Sequence, residues 1–451
     1  MNADAKFATG MVLTFVAVAA LLILDRRCVK KHEIPADGTL RYELLYRNGR
    51  MELLLATAAF IVFVLFSPHR NTPYNNYAYL ADAWLHGRLD VPELPAYLES
   101  VQFGGKTYVH FAPGAALLIL PFVALYGVNG FNSGFLCQLL GAVNVALCWR
   151  VLTRMKIGNR HSRLWMTTLL GFGTVHFWCA SWGSSWLLGH ISTLFFLLLA
   201  LCFLFRCENR LSDVFLAGLF FGLAVCCRLS ALLGGLFFIG CLMLKKERRF
   251  RCLLCFMGGA AVFGSLYMLY NFARFGTIMD QGYNLTYLKD YHRSVYDTLQ
   301  LAPAEHQLTM LKAYVREYGG PLQTKFLAYN LYSLTGMLPM LQPEFPWVIP
   351  KQSGVALTLV SPALAVALLP SWKKPVVRLL WGATLVTAVP FLLNYGNGQA
   401  QFGMRYAMDF TPYLFLLACM GMEKLSNWKK GLIVWSVLIN AWGALFWVCY
   451  Y

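Results

Sequence analysis

A chain of 451 residues that is 58% hydrophobic and only 13% charged carries about half the charged fraction of a soluble globular protein, which excludes that class. The 38 Lys and Arg against 21 Asp and Glu give a formal charge of +17, which in a membrane protein orients loops and meets anionic head groups without implying nucleic acid. The 13 cysteines fall almost entirely inside apolar stretches, which argues against a disulfide framework, and Cys252-x-x-Cys255 reads as packed thiols.

Apolar runs of membrane-crossing length recur from end to end and predict an all-α, polytopic transmembrane helical bundle of about 11 to 13 spans, with interfacial helices on its external loops. The first run, 7–24, ends at Asp25-Arg26-Arg27-Cys28-Val29-Lys30-Lys31, a cytoplasmic stop that sets residues 1–50 apart as an N-terminal span and cytoplasmic loop. The module 51–451 then offers spans at 51–67, 132–149, 164–182, 185–205, 211–226, 229–244, 252–271, 355–370, 377–395, 406–423 and 431–451. Two more apolar stretches, 113–128 and 326–341, read as re-entrant, because Pro113 and Pro121 interrupt the first and Pro339, Pro343, Pro346 and Pro350 bound the second. Gly218 and Gly222 form a small-x-x-x-small contact face, and His176 and His190, in or beside apolar runs, read as packing residues. Basic clusters at 150–163, 245–251, 373–374 and 429–430 belong in the cytoplasm, which puts 68–112, 272–325, 396–405 and the C-terminus outside.

The first external loop carries most of the polar chemistry. From Tyr74 to Leu89 it is predicted to be helical, with Tyr77, Ala81 and Trp84 on the bilayer surface and Asn75, Tyr79, Asp82 and His86 on a second stripe. Asp82 and His86 then share one face a turn apart, a carboxylate and an imidazole suited to general-base work on a hydroxyl, or an incidental i,i+4 pair. The loop returns through Lys106 and His110, a cation and an imidazole at the depth of lipid phosphates, where snorkelling accounts for them equally well. Arg228, between two short apolar runs, and Arg274 and Arg405, at external loop ends, are three guanidinium groups able to hold a phosphate; Asp409 sits four residues from Arg405 and is its expected ion-pair partner. His, Cys and carboxylates nowhere recur with metal-ligand spacing, so no metal or other cofactor is named and a divalent ion is left open.

The order of these parts resembles the GT-C superfamily of integral-membrane glycosyltransferases, especially bacterial relatives of protein O-mannosyltransferases and of the aminoarabinose transferase acting on lipid A. The resemblance rests on the loop stretch Tyr77 to Gly87, on Tyr108 to Gly114, on Gly222-Leu223-Ala224 with Arg228, on Asn271 to Gly276 with Gly282-Tyr283, and on Gly403-Met404-Arg405-Tyr406 leading to Pro412. It implies a polyprenyl-phosphate-linked sugar as donor, a lipid, glycan or protein acceptor, transfer on the external face of the cell membrane, usually with inversion, and an acidic residue of the first loop as base. Relatives often carry an acidic pair early in that loop, where this chain has Asn75-Asn76. Either Asp82 supplies the carboxylate or the chain is a divergent, inactive envelope-assembly protein. A lipid-linked glycan flippase is the other function class, and it would carry polar residues through the membrane midplane.

Overall fold

The computed structural model describes residues 2–31, 49–68, 71–95, 97–206, 210–245, 247–279, 281–282, 322–398 and 400–451. Most of the second long loop, 283–321, lies outside the described residues, as do 32–48 and Asp280.

The described chain is mainly helical, with two two-stranded hairpins among its loops. Six helices are long and apolar enough to cross a bilayer: Ala3–Arg26, Ser133–Arg154, Ser185–Leu204, Arg249–Phe275, Pro375–Leu393 and Asn427–Tyr450. Ser185–Leu204 is the central pillar, with 83% of its apolar window buried, packed between Ser133–Arg154 and Leu211–Cys227. Ala3–Arg26 is peripheral, 6% buried, and leaves Val12, Phe15, Val16 and Leu24 facing outward as a lipid-exposed helix does.

Several expected spans are shorter or broken. The run 164–182 is two helices, Arg160–Phe172 and His176–Trp182, parted at Gly173. The run 229–244 opens with the 3-10 turn Leu229–Gly234 before Gly235–Met243, and 406–423 opens with the 3-10 turn Arg405–Asp409 before Thr411–Gly421. The run 355–370 does not form a spanning helix: Leu357–Val360 stops at Ser361-Pro362 and continues as the 3-10 segment Pro362–Leu368. Each interruption falls at Gly or Pro or beside a buried polar residue, where packing on neighbouring helices replaces the lost ladder bonds. The stretch expected to be re-entrant forms the helix Gly114–Tyr126, whose 13 residues extend about 20 Å, short of the roughly 30 Å hydrocarbon layer. The stretch 326–341 holds only the helix Leu327–Thr335.

Ion pairs sort the loop ends. At one end of the bundle, Asp25 accepts from Lys430 Nζ at 2.5 Å and Trp165 Nε1 at 2.9 Å and meets His161, while Arg150 bonds Glu52 at 3.1 Å. The basic segments 150–163 and 429–430 therefore gather beside the end of the first helix, as the charge bias requires of one membrane face. At the opposite end, Tyr74 O accepts both the backbone N–H and the hydroxyl of Ser185, which docks the first loop on the start of the central pillar.

Helices Leu211–Cys227 and Arg249–Phe275 approach through glycines on both sides. A Cβ at Gly218 would strike the Phe256 carbonyl, one at Gly259 the Phe215 carbonyl, and one at Gly222 would lie 2.8 Å from the Ala260 oxygen. Gly258, next door, faces open space. Gly218→Leu is expected to lower the thermal midpoint of the detergent-solubilised protein, at a cost of roughly 1–3 kcal/mol, whereas Gly258→Ala leaves it near wild type. Equal effects of the two would contradict this packing.

Candidate functional site

The first loop forms the helix Asn76–Leu85, as its periodicity predicts. Its apolar stripe packs on protein, however, and not on the bilayer. Tyr77 is 4% and Ala81 0% exposed, the Tyr77 hydroxyl lies against Gly189 of the pillar, and the Trp84 ring meets Tyr270 at 5.8 Å. The reason is the Ser185 docking, which draws the helix over the ends of the pillar and of Arg249–Phe275.

Beyond this helix the loop folds back through a hairpin, Val101–Phe103 against Lys106–Tyr108. Its turn is Gly104-Gly105 with φ of 58° and 76°, two consecutive left-handed positions that only glycine adopts without strain. The register Val101↔Tyr108, carried two residues outward, sets Glu99 opposite His110. Glu99 Oε2 lies 3.8 Å from His110 Nε2 and accepts from Trp186 Nε1 at 3.4 Å. Buried Asn76 donates through Nδ2 to the Glu99 carbonyl at 3.0 Å. Arg274, 3% exposed, donates to Val109 O at 2.8 Å and to Asn271 Oδ1 at 3.0 Å, with its guanidinium 3.9 Å from the Tyr270 centroid. That residue pins the strand end carrying His110 to the helix Arg249–Phe275.

The second cluster forms where two helices break. Arg228 is the hinge residue between Leu211–Cys227 and the 3-10 turn that follows. Its Nε and Nη2 donate to Asp409 Oδ1 and Oδ2 at 2.7 and 2.9 Å, a bidentate fork; Ser230 Oγ donates to Oδ2 at 2.8 Å, and His190 Nδ1 lies 3.2 Å from Oδ1. Asp409 lies four residues from Arg405, within the 3-10 turn 405–409. The fork that grips Asp409 comes instead from 181 positions away. Arg228 and Arg405 still share a neighbour: their guanidinium carbons lie 5.6 and 5.4 Å from the centroid of the Tyr406 ring. Two guanidinium groups thus approach one ring, and one of them grips a carboxylate.

The two clusters are joined. Gly114, four residues past His110, packs so closely on Cys226 and Cys227 that a Cβ would lie 2.7 Å from their backbone, one residue before Arg228. Trp186 and His190, a turn apart on the pillar, hold Glu99 and Asp409 respectively. Of the residues expected from sequence, Asn76, His110, Arg228, Arg405 and Asp409 come together here, and Arg274 buttresses them. Asn75 caps the loop helix by position, without a side-chain cap bond. Asp82 and His86 do form their pair, at 3.6 Å, but with side chains 33% and 62% exposed. Lys106, 58% exposed, pairs with Asp90 at 3.4 Å. His190 and Glu99 are the participants that sequence reasoning passed over; the Gly104-Gly105 turn was the signal that could have found Glu99.

No protein-family model and no curated protein matches the chain. Among solved structures, an oligosaccharyltransferase from Archaeoglobus fulgidus tethered to an acceptor peptide superposes with a TM-score of 0.50 at 11% identity, over 89% of this chain and 56% of that one. The chain has the GT-C fold. ArnT from Cupriavidus metallidurans bound to undecaprenyl phosphate gives 0.47 at 11% identity over 84% and 61% of the two chains. The archaeal oligosaccharyltransferase AglB from Archaeoglobus fulgidus, in complex with an inhibitory peptide and a dolichol-phosphate, gives 0.46 at 11% over 89% and 56%. The chain therefore spans 56% to 61% of the length of these matches.

In a GT-C fold of this length, the buried fork is a stability determinant as well as a site. Asp409→Leu alone strands the Arg228 charge and is expected to cost roughly 3–5 kcal/mol, while the double variant Arg228→Met, Asp409→Leu costs less than either single change. Thermal unfolding of the four proteins checks this, and additive losses would contradict it.

Proposed function

We propose that the protein is a membrane glycosyltransferase that moves a sugar from a polyprenyl-phosphate-linked donor to an acceptor hydroxyl, with inversion, on the extracytoplasmic face of the cell membrane. The observation that carries the reading is the pair Arg228 and Arg405 on the Tyr406 ring, with Asp409 gripped by the Arg228 fork. Such a site suits a phosphate monoanion, because the ring and the helix breaks hold two planar, permanently charged guanidinium groups close together. When the bond from sugar to phosphate breaks, negative charge grows on the lipid phosphate, so preset cations stabilise the transition state beyond the ground state. A planar guanidinium adds two parallel donors where an ammonium offers a point charge.

Both the GT-C fold and the collection of polar side chains at one end of the bundle support a transferase over a flippase, which would spread them along a crossing path. The charge bias supports an external site, since 150–163 and 429–430 gather at the other end. The acceptor, whether lipid, glycan or protein, and the sugar are the finer parts of the same proposal.

Binding of undecaprenyl phosphate to purified protein tests the donor site. Arg228→Ala and Arg405→Ala are each expected to weaken it by about 10- to 100-fold, the value of a charge-assisted hydrogen bond of roughly 1.5–3 kcal/mol, and Arg228→Lys keeps part. Unchanged affinity in both alanine variants would reject the site. For sidedness, a single cysteine at position 90 in a Cys-depleted background should react with an impermeant maleimide from outside intact cells; labelling only from the cytoplasm would reverse the orientation.

A further inference from the structure

We propose that Glu99, and not Asp82, is the catalytic carboxylate that takes the acceptor's proton, an inference that rests on the transfer reaction proposed above. Attack on an anomeric carbon by a hydroxyl needs a carboxylate within reach of that hydroxyl and beside, not inside, the cation site that receives the leaving phosphate.

Five acids of the first loop and of the fork can be compared on position, of which Glu93 is exposed on the loop surface. Asp409 is 7% exposed and committed to the Arg228 fork, so protonating it would undo the phosphate site. Asp90 is tied to Lys106 on the hairpin flank. Asp82 pairs within the loop helix with His86, whose side chain is 62% exposed. Of these five, Glu99 is the acid tied to the pillar by its carboxylate while still accessible. Its carbonyl is held by the buried Asn76 amide and its carboxylate by Trp186, it faces His110, and its side chain is still 37% exposed.

The spacing to the cations follows from one helix. Trp186 anchors Glu99 and His190 anchors Asp409, and these two anchors are four residues apart on Ser185–Leu204, an axial separation of about 6 Å. A sugar ring lying along that turn would present its anomeric carbon between Glu99 and Arg228. The acceptor oxygen then bonds to the anomeric carbon on the Glu99 side while the bond from that carbon to the phosphate oxygen breaks on the Arg228 side. The bonding pair leaves on the lipid phosphate, the hydroxyl proton passes to the Glu99 carboxylate, and attack opposite the leaving group inverts the centre. Asn76, uncharged where a carboxylate would be expected to act, serves here as the positioning residue that delivers a carboxylate from 23 residues further along the loop.

The test uses full-length protein and the polyprenyl-phosphate sugars extracted from its own membranes, with release of free polyprenyl phosphate as the readout. Glu99→Gln should lower turnover by about 10²- to 10⁴-fold while undecaprenyl phosphate affinity stays within about threefold of wild type, and its residual activity should lose the acid limb of the pH profile. Glu99→Asp should recover part of the rate. Intact sugar-linked lipid should also co-purify with Glu99→Gln at several-fold higher occupancy than with wild type. Normal turnover in a folded, lipid-binding Glu99→Gln protein, or abolition by Asp82→Asn with Glu99→Gln active, overturns the assignment. Wild-type protein that binds no undecaprenyl phosphate overturns the donor reading itself, and Glu99's role with it.

Discussion

The bidentate bond between Arg228 and Asp409 is the constraint on which the polar end of the bundle depends. An arginine and an aspartate at membrane depth are each costly alone, and the penalty falls only when both oxygens and the fork are matched. The match demands that one helix stop at Cys227 and another begin only at Thr411, after the 3-10 turn that ends at Asp409, so that neither residue is buried in a regular ladder. The breaks in turn free Ser230 to donate to the same carboxylate and set Tyr406 beside both Arg228 and Arg405. What looks like imperfect span architecture is therefore the means by which a polar site is built inside an apolar protein.

The central pillar transmits this arrangement to the first loop. Ser185 receives Tyr74, Trp186 receives Glu99, Gly189 admits the Tyr77 hydroxyl and His190 meets Asp409, all within two turns of one helix. A loop docked on the same turns that hold the fork cannot shift without disturbing it. The opposite end has its own fastening, in which Asp25 collects Lys430 from one helix and His161 and Trp165 from another. Between the two fastenings, the glycine-mediated contact of Leu211–Cys227 with Arg249–Phe275 fixes the height of Arg228 against Arg274.

The helical class, the long spans and the loop helix Asn76–Leu85 were legible because hydropathy runs and the 3.6-residue period are local properties of the chain. Arg228, Arg405 and Asp409 were legible because charge at membrane depth is rare. The Arg228–Asp409 pairing was not, because it joins residues 181 positions apart that no local spacing rule connects. His190 looked like a packing residue because its sequence neighbours are apolar, while its chemical neighbour comes from the other half of the chain. Glu99 was passed over for a different reason. Its placement depends on hairpin register, which follows from Gly104-Gly105 and not from helical spacing, and the stripe argument that favoured Asp82 weighs only residues on one helix.

These relations converge on a single claim, that a lipid phosphate is held at the helix breaks by Arg228 and Arg405 on the Tyr406 ring. A cryo-electron microscopy map of the protein saturated with undecaprenyl phosphate in nanodiscs tests it most directly. The account predicts phosphate density within hydrogen-bond reach of one or both guanidinium groups, with the polyprenyl chain running outward into the bilayer. Ordered phosphate at the opposite end of the bundle, beside Lys430 and His161, with none at Arg228 or Arg405, would contradict it.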